Sequence, residues 1–141
     1  MASHDYTDKA YCAQEGNWAS TKEFIRGHNI VIERAFSTAT YNLTSGDDYD
    51  MIQYPDHSLI FNGYLITTTA EGATGTIDLR DNASPTTTMI NDHDLNTDNT
   101  IGAYTTALWK PSAEQINILV NNNLDTAVFK IVIDMTVLSA D

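Results

Sequence analysis

The sequence predicts an all-β chain built as a two-sheet antiparallel sandwich. Three observations carry this. Threonine, asparagine, aspartate and serine are abundant while charged residues make up only 18% of the 141 positions, a mix that favours strands and turns over helices. No window is rich enough in Leu, Glu, Lys and Ala to sustain a long helix. Eight or nine stretches of strand character recur at spacings near ten residues with turn clusters between them, which is how a jelly-roll-like sandwich reads. A chain of this length is one domain with a core of its own, and the expected division is an N-terminal arm over 1–27 and a β-sandwich over 28–141.

The arm shows no clean period. It mixes Tyr6, Tyr11, Trp18 and Phe24 with charges, and a Gly16-Asn17 break interrupts it. Ser20 and Glu23 have capping-box spacing, but Gly27 and Asn29 limit any helix there to about two turns. Four aromatics in so polar a segment imply that it binds its own sandwich or a neighbour, so these four are the candidate partner-binding residues.

From Asn29 the pattern is alternating. Ile30, Ile32 and Phe36 share one parity, with Glu33 on the other, and β-favouring residues continue to Leu43. Thr44 to Asp48 form a polar turn before a strand over Tyr49–Tyr54, which Pro55 ends because proline cannot donate to a ladder. The next stretch, His57–Asp81, is expected to be a long hairpin. Leu59, Phe61 and Leu65 lie on one parity and Ile60, Tyr64 and Ile66 on the other, so this strand is apolar on both faces. Glu71 to Gly75 supply the turn, and Thr76–Arg80 returns with Ile77 and Leu79 inward and Asp78 and Arg80 on a wet outer side. Thr86–Ile90 and Thr100–Trp109 follow as strands, Trp109 beside Pro111 reading as a strand-end core residue. Ile116, Ile118 and Val120 form the cleanest alternation. Asn122 to Thr126 read as a hairpin turn into a closing strand over Val128–Leu138, whose inward face is Phe129, Ile131, Ile133, Met135 and Val137.

The net charge is −12, and nearly all of it lies after Ser37, where three basic residues stand against fourteen acidic ones. Such a body repels phosphate backbones, which excludes nucleic acid as a partner. A single cysteine, Cys12, permits no intrachain disulfide or thiol cluster. MASHDYTDK is not a signal peptide and no run of eighteen apolar residues exists, so the expectation is a protein made in a cytoplasm with no membrane partner.

No hydrolase elbow, phosphate-binding loop or dinucleotide fingerprint is present, the four histidines have no zinc spacing, and a non-enzyme without a cofactor is expected. The one candidate cation tract is Asp92, Asp94, Asn96 and Asp98, at every second position as an EF-hand loop begins. Thr97 then stands where the sharp-turn glycine belongs and Ala103 where the bidentate glutamate belongs. A solvated polar tract is the reading these residues favour.

Three segments resemble small β-sandwich virion proteins of tailed bacteriophages, of the capsid decoration or cement type. They are Ile52-Gln53-Tyr54-Pro55, the apolar run Leu59 to Ala70, and Ala73-Thr74-Gly75-Thr76-Ile77-Asp78-Leu79, together with Tyr104-Thr105 and the final alternating strand. Arg80 stands where a glycine is usual in those proteins. The resemblance implies a protein on the capsid exterior that binds a major capsid protein and forms a homo-oligomer, with a trimer favoured. Another head or tail component is the alternative within that resemblance; a carbohydrate-binding module, with Trp18, Trp109 and tyrosines as stacking platforms, is the alternative from a different class, and a hydrolase on the same fold comes third.

Overall fold

The computed structural model describes residues 3–5, 29–83 and 85–138. Its ten strands are β1 (Ser3–Asp5), β2 (Asn29–Ser37), β3 (Asp48–Tyr54), β4 (Ser58–Thr69), β5 (Thr76–Asp81), β6 (Thr87–Asp94), β7 (Ile101–Tyr104), β8 (Leu108–Lys110), β9 (Glu114–Val120) and β10 (Val128–Val137). Among the described residues there is no helix, and so none long and apolar enough to cross a membrane.

Two five-stranded sheets face each other. One runs β1-β3-β9-β5-β6; the other runs β2-β10-β4-β7, with β8 beside β7 on the same edge of β4. Set β1 and β8 aside and consecutive strands interleave between sheets as β2-β10-β4-β7 over β3-β9-β5-β6, the strand order of a jelly roll. The expected architecture is therefore the observed one.

The core lies between the sheets and follows the parities read for β2, β5, β9 and β10; in β4 the register shift opposite Asp134 and Met135 changes the parity, so that Ile60 and Leu65, read on opposite faces, both point inward. Ile32 and Phe36 from β2, Ile60 and Leu65 from β4, and Phe129, Ile131, Ile133, Met135 and Val137 from β10 meet Ile77, Leu79, Ile116, Ile118 and Val120 from the opposite sheet, all buried. Phe36 stacks on Phe129 with ring centroids 5.7 Å apart. Gly63 and Gly102 are the thin points of the inner layer. A Cβ on Gly63 would lie 2.9 Å from Met89 Cε, and one on Gly102 would lie 2.8 Å from His93 Nδ1.

The pairing differs from the sequence expectation in two places. His57–Asp81 is not a hairpin, since β4 pairs with β10, β7 and β8 whereas β5 pairs with β6 and β9 in the other sheet. The same holds for β9 and β10. Each pair is joined by a connection that crosses between sheets, Ala70–Gly75 and Asn121–Ala127, and each is long enough for the roughly 10 Å between stacked sheets. A two-residue turn would have forced a hairpin; these do not.

Smaller corrections follow the same logic. Strand β2 stops at Ser37, and Thr38–Leu43 is turn and bridge rather than strand, with Leu43 bonded to Leu124. Thr100–Trp109 divides into β7 and β8. Strand β6 runs on to Asp94, taking in half of the polar tract. Asp78 and Arg80 are not on a wet edge: Asp78 is buried, and Arg80 is half-buried against Asp48.

Candidate functional site

The four sheet-crossing connections between β2 and β3, β4 and β5, β6 and β7, and β9 and β10 gather at one end of the sandwich and are bonded into a unit. Glu71 organises it. Its buried carboxylate accepts the successive amides of Asp125 (2.9 Å), Thr126 (3.2 Å) and Ala127 (2.7 Å), while its own amide donates to Leu95 O. Ser45 donates from its amide to Asn123 Oδ1 and from its hydroxyl to Asn121 O. A shallow cleft of about 420 Å³ lies here, between Leu43, Glu71, Ala73 and Leu124.

The candidate cation tract belongs to this end, and its oxygens point to separate partners. Asp92 accepts from Asn91 and Asn121 side-chain amides at 2.7 and 3.1 Å. Asp94 accepts from the Asn96 amide at 2.8 Å, Asn96 from the Gly75 amide at 2.8 Å, and Asp98 from the Ala70 amide at 2.6 Å. The tract thus pins the β6–β7 connection onto the β4–β5 connection. Among the described residues, no three or more His, Cys, Asp or Glu side chains come together as metal ligands. Asp92 itself sits at φ 50°, in a bulge of β6 whose extra amide is taken by Asp78 Oδ1 at 2.7 Å.

Two buried polar groups join the sheets. His93 is 4% exposed, and its Nε2 lies 3.0 Å from the hydroxyl of Thr67 on β4, which also donates to Asp94 O. Burial lowers its pKa, opposed by the nearby Asp94 charge. At the opposite end Asp81, fully buried, accepts a 2.5 Å hydrogen bond from Tyr54 and an ion-pair hydrogen bond from Lys110 of β8. Burial, then the Asp81 carboxylate, raises the Tyr54 pKa far above that of a free phenol. From the sequence His93 reads as a surface or loop histidine, and the structure buries it instead; Asp81 was not singled out. Asp81 did leave a signal there, because it shares the parity of Ile77 and Leu79, and a charge on a core parity needs a partner.

The outer face of the β2-β10-β4-β7 sheet is apolar where it could be polar. Tyr64 lies between Val132 and Ala103, Ile66 between Lys130 and Ile101, and Leu59 between Thr136 and Trp109. Ile101 and Val31 are both 64% exposed, and Trp109, expected in the core, is 49% exposed with His57 edge-on at 5.9 Å. The two-faced character of β4 is real: Ile60 and Leu65 are buried, and Leu59, Phe61, Tyr64 and Ile66 are half-exposed. The proposed partner-binding residues Tyr6, Tyr11, Trp18 and Phe24 lie outside the described residues.

The fold is that of a two-sheet jelly roll, and solved structures share it. The chain is similar to one in the capsid of Ralstonia phage GP4, with TM-score 0.64 and 11% identity over 99% of this chain and 100% of that one. It is also similar to a chain in the acidic stable capsid structure of Helicobacter pylori bacteriophage KHP30, with TM-score 0.62 and 12% identity over 82% and 92%. A third is a chain of the cyanophage Pam1 capsid asymmetric unit, with TM-score 0.54 and 16% identity over 77% and 82%. At such identities the likeness is one of fold. No protein-family profile and no curated protein matches the sequence.

Proposed function

We propose that this chain is a non-enzymatic structural protein of a bacteriophage virion, a decoration or cement protein on the head exterior that binds the major capsid protein and assembles as a homo-oligomer, with a trimer favoured. The observation that carries the reading is the end-to-end match of its jelly roll to a chain from a phage capsid. The apolar outer face around Tyr64, Ile66, Ile101 and Val132 supports it, since an exposed apolar patch on a sheet suits subunit contact. The net charge of −12 keeps the free protein soluble and repels packaged DNA.

Residues 1–27 act as an arm in this reading, with Tyr6, Tyr11, Trp18 and Phe24 as its contacts to a neighbour. Deleting Met1–Phe24 is expected to abolish oligomerisation and binding to purified capsid shells while leaving the β circular dichroism signal intact. Loss of the β signal would show instead that the segment completes the core.

The exposure of Trp109 favours one second reading, a carbohydrate-binding sandwich. Binding on a glycan array that Trp109→Ala removes would support it, and silence on the array would dismiss it.

A further inference from the structure

Strand β1 is attached to the sandwich in a way that no other strand is. It pairs with β3 in parallel, Ser3 with Asp48, His4 with Tyr49 and Asp5 with Asp50, while every other ladder among the described residues is antiparallel. It stands at the margin of its sheet and pairs with no other described strand. Without it, β3 would be a sheet edge with free amides and carbonyls, a template for strand addition.

The connection from β1 to β2 is far longer than the path requires. Strands β6 and β7 pack together at one side of the sandwich, so β3 and β2, the opposite margins of the facing sheets, lie at the other. Stacked sheets are about 10 Å apart. In sequence 23 residues, 6–28, separate the two strands, and a chain of that length can reach at most roughly 75 Å. Closure cost grows only slowly with loop length, so a connection of 23 residues is long enough for the same strand to reach its own β3 or that of a neighbour. The hydrogen bonds formed are the same in both cases, which is the condition under which an element is exchanged between copies.

We infer that β1 of one copy completes the β3 edge of a second copy when the protein assembles. This rests on the proposed homo-oligomer. The occupant is a second copy because the segment that fits the edge, in register, is the chain's own residues 3–5. In the free protein the intramolecular pairing blunts the edge. Among copies held side by side, with local concentrations in the millimolar range, exchange turns a surface contact into a strand-to-strand link.

Cysteine pairing tests this directly. In a Cys12→Ser background, Ser3→Cys in one tagged chain and Asp48→Cys in a differently tagged chain are co-expressed and mildly oxidised. Neighbouring strands hold paired Cα atoms within disulfide range. Exchange predicts a disulfide joining the two tags on a non-reducing gel, absent when either variant is expressed alone. Asp5→Cys with Asp50→Cys gives the same readout should the loss of the Asp48–Arg80 ion pair impair folding. A chain carrying both substitutions that closes its bond internally, with no link between tags while light scattering still reports an oligomer, overturns the exchange and leaves the assembly standing. Light scattering that reports a monomer overturns both.

Discussion

Asp81→Asn is expected to be among the most damaging single substitutions in the described chain. Asp81 is fully buried, and Lys110, whose side chain is 13% exposed, is paired with it. Removing one partner of a buried ion pair strands the other charge in the interior, at a cost of about 3–5 kcal/mol. A domain of this size loses roughly 3 °C of melting temperature per kcal/mol, so the midpoint should fall by about 10–15 °C. Lys110→Met should cost about as much, because it strands the carboxylate instead. The double variant Asp81→Asn with Lys110→Met removes both charges and keeps an amide oxygen for the Tyr54 hydroxyl and the Ala83 amide, so it should cost only about 1–3 kcal/mol. The two single effects are therefore strongly non-additive, with a coupling of about 5 kcal/mol. Urea unfolding followed by circular dichroism, at one fixed protein concentration, measures all three variants. A loss below about 1 kcal/mol for Asp81→Asn, or additive single and double variants, would refute the argument that this pair is held in a dry interior and locks the two sheets together.

Three further outcomes follow from the inner layer and the loop end. Because burial lowers the His93 pKa, the unfolded chain takes up a proton that the folded chain resists; this contribution to stability is complete above about pH 6.5 and is lost as pH falls below it. His93→Gln should flatten that acid slope in pH-dependent urea midpoints, and an unchanged slope would contradict the assignment. Gly102→Ala should destabilise by about 1–3 kcal/mol, because the new methyl meets the His93 ring and Ile90, whereas Gly63→Ala should cost less because its one very close contact is the flexible end of Met89, with Ile133 and Leu79 farther off at 3.4 Å; thermal melts that reverse this order would be inconsistent with the packing. Finally, chelator should leave the melting temperature unmoved and calcium should give no heat in titration calorimetry, since Asp92, Asp94, Asn96 and Asp98 are engaged in separate hydrogen bonds; a calcium-dependent rise in melting temperature would restore the tract as a cation site.

What was legible in the sequence was the identity of the strands and the direction of their faces. Ile116, Ile118 and Val120, or Phe129 to Val137, declare their inner face by alternation alone, because the side-chain period of a strand is two. Pairing was not legible. The residues of Ala70–Gly75 and Asn121–Ala127 report that the chain turns, but whether it returns beside the strand it left or crosses to the facing sheet depends on partners far away in sequence. The exposure of Trp109 has the same cause, since its side is set by the register of β8 on Leu59. The polar tract misleads in a related way: Asp92, Asp94, Asn96 and Asp98 look like a ligand set in one dimension, yet once folded their oxygens are taken by separate donors, Asn121 for Asp92, the Asn96 amide for Asp94, and the Gly75 and Ala70 amides of the β4–β5 connection for Asn96 and Asp98. His93 and Leu95, on the parity between them, are the buried residues of that stretch.

In the proposed function this jelly roll repeats over the outside of a phage head. Electron microscopy of virions purified with the protein tests it most directly. The account predicts density of this fold at regular positions over the capsid lattice, in contact with the major shell protein and with its own copies. Particles that lack the chain, or a protein that stays strictly monomeric and does not bind purified shells, would contradict it.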